Sequence, residues 1–278
     1  MATSNDPAER YLELLKGTLT RSLFIDEEVR EPSPAGWKGS VYSFVSRQLG
    51  RAGLKIVQTE YASLEAREVG GDWPATADTM IGHKRLDLLQ YAVHTVVGDE
   101  IPGDVIETGV WRGGACIFAR AALLAYGDTS RKVWVADSFE GLPHPDATSY
   151  PVDAGDNHWE NAFLAVGLDE VRRRFDRYGL LDAQVEFVVG WFKDTLHLVP
   201  ATSFSIIRLD GDMYSSTTEA LEALYSRVSP GGFIIIDDYG HIPACRKAVE
   251  DFRAAQFISE PITQIDWTGV YWRKSLTA

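Results

Sequence analysis

The sequence predicts an α/β protein: a mostly parallel sheet with helices on both faces, closed by an antiparallel hairpin at the C-terminal end. Three observations predict it. Five short apolar runs alternate with amphipathic stretches between residues 104 and 255. The runs are apolar throughout, as strands covered on both faces must be, instead of alternating like half-exposed ones. The runs also carry acids at or near their ends, at Glu107, Asp137, Asp210, Asp237 and Asp238. In open α/β sheets the carboxyl ends of the strands are where ligands sit.

Taken in order, "YLELLKGTLTRSLF" places Leu12, Leu15, Leu19 and Leu23 at helical spacing, and "REPSPAGWKG" then breaks the pattern. "SVYSFVSRQL" reads as a second short helix with Val41, Phe44, Val45 and Leu49 on one side. Polar "REVGGDWPATAD" follows. Residues 1–77 are therefore expected as an N-terminal helical lid or oligomerisation region around a core formed elsewhere, and 78–278 as the main domain. "TMIGHKRLDLLQYAVHTVVG" is a stronger helix, with Ile81, Leu86, Leu89, Val93, Val96 and Val97 as its apolar stripe and Asp78 or Thr79 as N-cap.

Strands are expected at 104–110, 132–139, 184–191, 204–210 and 232–238, and helices at 113–126, 158–178, 215–227 and 243–255. "ITQIDWTGVYWRKS" reads as the terminal hairpin around Thr268-Gly269.

Composition narrows the function. The 278 residues carry a net charge of −13, which disfavours nucleic acid or an anionic membrane as partner. No segment approaches the ~20 apolar residues of a membrane span. Polar "MATSNDPAER" is unlike a signal peptide, so a cytoplasmic setting is expected. Cys116 and Cys245 form no disulfide framework and are expected as buried thiols.

"VIETGVWRGG" sets an acid before a glycine-bearing strand-to-helix turn. Gly109 permits the tight turn, and Gly113 or Gly114 lets backbone approach a ligand. A dinucleotide fingerprint would need a middle glycine and an acid about 20 residues further on; the middle glycine is missing. The arrangement resembles Rossmann-like class I S-adenosylmethionine-dependent methyltransferases. That resemblance implies that Glu107, Thr108, Gly109, Trp111 and Gly113 hold the methionine end of S-adenosyl-L-methionine. It also implies that Asp137, with Ser138 and Phe139 beside it, accepts the ribose hydroxyls, a task suited to two carboxylate oxygens. Gly190 and Trp191 of "VVGW" would line the adenine pocket, and Thr79 and Met80 would close over the methionine end. The plainer readings are that Thr79 caps a helix, Met80 packs, Trp191 is core and Asp137 caps a turn.

Acids from two strand ends repel one another unless they share a cation, and oxygen ligands suit Mg²⁺. An Asx turn at Asp210-Gly211-Asp212 and helix capping at Asp237-Asp238 are the competing explanations. "ETGVWRGGACI", "VWVADSFEGLP", "GWFKDTL", "RLDGDMYSST" and "GGFIIIDDY", with "DWPATADTMIGHKRL" and "WTGVYWRK", resemble the macrocin O-methyltransferase (TylF) family over roughly residues 70–273. The resemblance implies Mg²⁺ held by Asp210, Asp237 and Asp238. It also implies methylation of a deoxysugar hydroxyl on a glycosylated small-molecule acceptor in antibiotic biosynthesis, by an enzyme expected as a homodimer. Asp210, which would also border the cofactor, is the first choice for the base that takes the hydroxyl proton; Asp212 is the alternative. His144 of "GLPHP" would line the acceptor pocket, assist proton transfer, or merely sit in a surface loop. A catechol- or phenol-type O-methyltransferase and a metal-dependent phosphoesterase are the rival activities.

Overall fold

The computed structural model describes residues 6–27, 29–30, 32, 34–59 and 63–276; part of the "REPSPAGWKG" break lies outside them. The N-terminal part holds α1 (Pro7–Leu19), β1 (Val29–Arg30), α2 (Trp37–Arg51), β2 (Gln58–Thr59) and α3 (Leu64–Val69). Then come α4 (His83–Gly98), β3 (Asp104–Thr108), α5 (Gly114–Ala125), β4 (Val133–Asp137), α6 (Leu168–Arg177) and β5 (Val185–Val189). The chain continues through α7 (Phe192–Thr195), β6 (Phe204–Leu209), α8 (Tyr214–Leu224), β7 (Val228–Ile236) and α9 (Pro243–Ala255). It ends in β8 (Thr263–Gln264) and β9 (Val270–Arg273).

Seven strands form the central sheet in the order β5-β4-β3-β6-β7-β9-β8. β5, β4, β3, β6 and β7 run parallel, whereas β9 pairs antiparallel with β7 and with β8. Every residue of β6 is buried, as its unbroken apolar run requires of a middle strand. One face of the sheet packs against α1, α4, α5 and α6 through a core that includes Leu12, Leu86, Ile117 and Phe175. The other face packs against α8 and α9 through Leu221, Leu224, Val249 and Trp272.

The N-terminal expectation needs correcting in one respect. α1 belongs to the main core: Leu12, Leu15 and Leu19 are buried with α4 and α5. Asp6 caps α1 by accepting the Ala8 N–H at 2.9 Å, and Pro7 starts it. α2 is the opposite case, since none of its residues is buried and Val41 and Phe44 stand exposed.

Two other boundaries differ from expectation. α4 starts at His83 with Gly82 as N-cap, so neither Asp78 nor Thr79 caps it. Asp78 instead pairs with Arg174 and accepts from Tyr178 at 2.5 Å, and Thr79 Oγ1 accepts from the Ile81 N–H at 3.3 Å. The helix expected over 158–178 exists only from Leu168. Before it, Asp156 accepts the His158 N–H and Asn161 the Phe163 N–H, local bonds that compete with helix formation.

Candidate active site

The tips of β3, β4, β5 and β6 open into one cavity of about 560 Å³. Gly109 turns the chain at the tip of β3 with φ +81°, and a Cβ there would lie 1.7 Å from the carbonyl oxygen of Asp210. That glycine lets two strand tips touch. Gly113 and Gly114 do not themselves border the cavity. A Cβ on Gly113 would meet Val171 at 2.8 Å and one on Gly114 the Asp78 carbonyl at 2.4 Å, so both serve protein packing.

Asp137 lines the cavity at the tip of β4. Its Oδ2 accepts the Val110 N–H at 2.8 Å and its Oδ1 the Phe139 N–H at 2.7 Å, which ties the β3 and β4 turns together. Burial raises its pKa, and those N–H groups oppose the rise. Met80, Trp111, Ser138, Gly190 and Trp191 line the same cavity. Trp111 Nε1 donates to the Phe163 carbonyl at 2.9 Å, and the Arg112 guanidinium stacks on the indole 4.1 Å from the ring centre. Thr79, Thr108 and Phe139 are buried without lining the cavity.

Glu107 lies behind the cavity wall. It pairs with Arg208 and accepts from the Cys116 thiol at 2.7 Å. Burial pushes its pKa up to about 7 against the pull of Arg208. It is buried and does not itself border the cavity.

The acidic rim adjoins this wall. Asp210, Asp237 and Asp238 each offer an oxygen, all within 4.8 Å of one another. Asp212, at φ +57°, takes a left-handed conformation that aspartate tolerates, and its N–H donates to Asp238 Oδ2 at 3.3 Å. Asp210 and Asp212 line the cavity. Desolvation and mutual repulsion push Asp210 up to about 6 and Asp212 to about 7, and hold Asp238 well above the usual carboxylate range.

Two buried arginines oppose this charge. Arg208, inside β6, donates to Glu107, to Asp210 Oδ2 at 2.8 Å, and to Asp237. Arg85, on α4, reaches Asp237 and Asp266. Asp237 thus carries an arginine on each oxygen while Asp238 carries none among the described residues. Two guanidiniums leave most of the rim's negative charge unbalanced, so the donor set fits a hard divalent cation.

Sequence reasoning missed both arginines, although an arginine inside the apolar run "FSIIRLD" is a signal that something buried must pair with it. It also missed Asp153, whose two oxygens accept the Tyr214 and Ser215 N–H groups at the start of α8, at 2.8 and 2.9 Å. His144 lines the cavity, but its ring lies tilted against Trp159, with centres 4.7 Å apart. The histidine whose charge acts on Asp212 is His158, hydrogen-bonded to Asp156 at 2.8 Å.

The strand order, with its reversed last pair, and a cavity spanning the tips of the first three parallel strands are the plan of a class I S-adenosylmethionine-dependent methyltransferase. Within that class, the chain belongs to the macrocin O-methyltransferase (TylF) family, whose model matches residues 8–274. It is 49% identical to the 8-demethyl-8-(2,3-dimethoxy-alpha-L-rhamnosyl)-tetracenomycin-C 4'-O-methyltransferase of Streptomyces olivaceus, over 97% of this chain and 94% of that protein. It is also 49% identical to the demethyldecarbamoylnovobiocin O-methyltransferase of Streptomyces niveus, over 76% of this chain and 81% of that protein. The solved structure of the O-methyltransferase NovP matches with a TM-score of 0.83 at 41% identity, covering 96% of this chain and 99% of that one. The chain is an O-methyltransferase, which decides against the phosphoesterase reading.

Proposed function

We propose that the enzyme methylates a sugar hydroxyl of a glycosylated natural product, with Mg²⁺ held by Asp210, Asp237 and Asp238. The observation that carries the reading is the adjacency of the three-aspartate set to the cofactor cavity, with Asp210 common to both. The relatives' names support the acceptor class, since one acts on a rhamnosyl group.

When bound, the cation lowers the pKa of the acceptor hydroxyl and favours the alkoxide that develops during transfer. The remaining work falls to the protein. Asp137 presents oxygens to the ribose hydroxyls, and the Gly109 turn keeps backbone out of the cofactor's way. Met80, Trp111 and Trp191 line the cavity walls and would hold the donor beside the rim, where an in-line displacement needs it.

Of the two candidate bases, Asp212 suits the task better. Asp210 is tied to Arg208 and belongs to the ligand set. The Asp212 carboxylate lines the cavity and accepts no hydrogen bond from the described residues, so its oxygens are open to the hydroxyl proton. It takes the hydroxyl proton as the oxygen–methyl bond forms and the sulfonium bond breaks.

The test is methyl transfer by EDTA-stripped enzyme to a panel of glycosides and vicinal phenols. Activity restored by Mg²⁺ on glycosides alone supports the reading. Unimpaired activity after chelation removes the metal role, and turnover only with phenols favours the catechol-type rival.

A further inference from the structure

Arg85 is buried, yet neither cofactor nor acceptor has any need of it in the mechanism above. Its guanidinium is divided among three parts of the chain. One nitrogen donates to Asp237. Nε donates to Asp266 Oδ2 at 2.9 Å, and Nη2 donates to the Val69 carbonyl at 3.2 Å. Each partner is fixed in turn. Asp266 Oδ1 accepts the Thr268 and Gly269 N–H groups at 3.0 and 2.7 Å. The Val69 carbonyl also accepts Trp267 Nε1 at 2.9 Å, and the Thr268 hydroxyl donates to the Asp237 carbonyl at 3.0 Å.

Gly70 ends α3 at φ +64°, where a Cβ would lie 2.4 Å from Arg85 Nη2 and 2.7 Å from the Gly82 nitrogen. The end of α3 is therefore pressed onto the guanidinium. A planar group held at three points cannot turn, and neither can the carboxylate it grips.

We infer that Arg85 is a positioning residue for the divalent-cation site: it locks Asp237 in its ligand orientation and, through Val69 and Asp266, makes residues 64–72 and the 264–269 turn part of that site's frame. The inference rests on the metal reading proposed above. Charge alone would act in the opposite sense, because a cation beside a metal ligand repels the incoming ion. Removing it would tighten metal binding if electrostatics were its whole effect, and loosen binding if orientation matters more.

Mn²⁺ binding to the full chain without cofactor, followed by electron paramagnetic resonance, separates the two. Arg85→Lys keeps the charge and loses the fork, and should weaken Mn²⁺ roughly 10–100-fold, the usual cost of losing a partner that orients a ligand. Arg85→Gln should also weaken it, despite the lost repulsion. S-adenosylhomocysteine affinity, measured by calorimetry, should stay within about threefold, since Arg85 does not line the cofactor cavity.

A folded Arg85→Lys protein that binds Mn²⁺ as well as the parent overturns this inference alone. A parent that binds no Mn²⁺ overturns both it and the metal reading. Should the Arg85 variants fail to fold, Asp266→Asn carries the test: it removes the charge that holds Nε, and unchanged Mn²⁺ affinity overturns the inference.

Discussion

Replacing Asp153 by alanine should loosen the whole acidic rim from a position that touches neither cofactor nor metal ligand. The Asp153 carboxylate is buried and accepts the first two N–H groups of α8, at 2.8 and 2.9 Å. These are groups that a helix cannot satisfy itself, and a negative charge at a helix start is favoured by its dipole. Bonds to a charged acceptor contribute about 1.5–3 kcal/mol each. Two would amount to ~3–6 kcal/mol if the vacated N–H groups stayed dry. Water reaching them through the adjoining loop brings the expected loss to roughly 2–4 kcal/mol, still more than an ordinary cap. Urea unfolding of parent and variant measures it.

The functional consequence is separable. α8 begins two residues after Asp212, whose left-handed backbone is held by this cap on one side and by Asp238 on the other. Turnover should fall at least about tenfold while S-adenosylhomocysteine affinity is kept within about threefold. A loss of stability under ~0.5 kcal/mol, the usual scale of a surface change, would refute the assignment of Asp153 as the clamp on the rim.

Asp212→Asn should cut turnover by roughly 10²–10⁴ with cofactor affinity intact, as expected for a general base; near-parent turnover would move the role elsewhere. Asp137→Ala should weaken S-adenosylhomocysteine by more than about tenfold in calorimetry, because charge-assisted bonds to the ribose are lost. Unchanged affinity would cancel the ribose assignment. The metal-free protein should lose stability between pH 5 and pH 8. Glu107, Asp210 and Asp212 have folded pKa values raised to about 7, 6 and 7, so their stabilising protonated forms disappear as pH rises through that window. Urea midpoints should fall across it and recover at pH 8 on adding Mg²⁺; a rising midpoint without metal would contradict the pKa shifts.

How much of this could be read from the sequence depends on whether a feature was local. Apolar runs and amphipathic helices are local, so the parallel strands and the order of elements followed from spacing alone. Gly109 was legible for the same reason, because an acid-Gly turn at a strand end has few uses. Arg208 was not, because two of its three partners, Glu107 on β3 and Asp237 at the tip of β7, are distant in sequence and adjacent only once β6 lies between them. The pairing of Glu107 was hidden from the other side. A strand-end acid gives no sign in the sequence that an arginine on the neighbouring strand pairs with it. The N-cap of α4 was misplaced because Asp78 found stronger partners in Arg174 and Tyr178, 96 and 100 residues away.

The arginines also explain why the rim can exist before any cation arrives. Glu107, Asp210 and Asp237 each meet a guanidinium, and the proton shared out by raised pKa values relieves the rest. Among the described residues, Asp212 and Asp238 are left without one. One of these is the proposed base and the other the only member of the ligand set with no arginine on it. Neutralisation thus falls on Glu107 and on two of the three proposed ligands, Asp210 and Asp237, and stops short of Asp238 and the proposed base. If the two arginines merely balanced charge, their placement beside Asp237 rather than Asp238 would be arbitrary. Removing the uncompensated charge tests the placement: Asp238→Asn should leave the fold's stability at pH 8 equal or higher without metal, yet abolish the Mg²⁺-induced rise in urea midpoint. Retention of that rise in the variant would mean that the cation, if it binds, binds elsewhere.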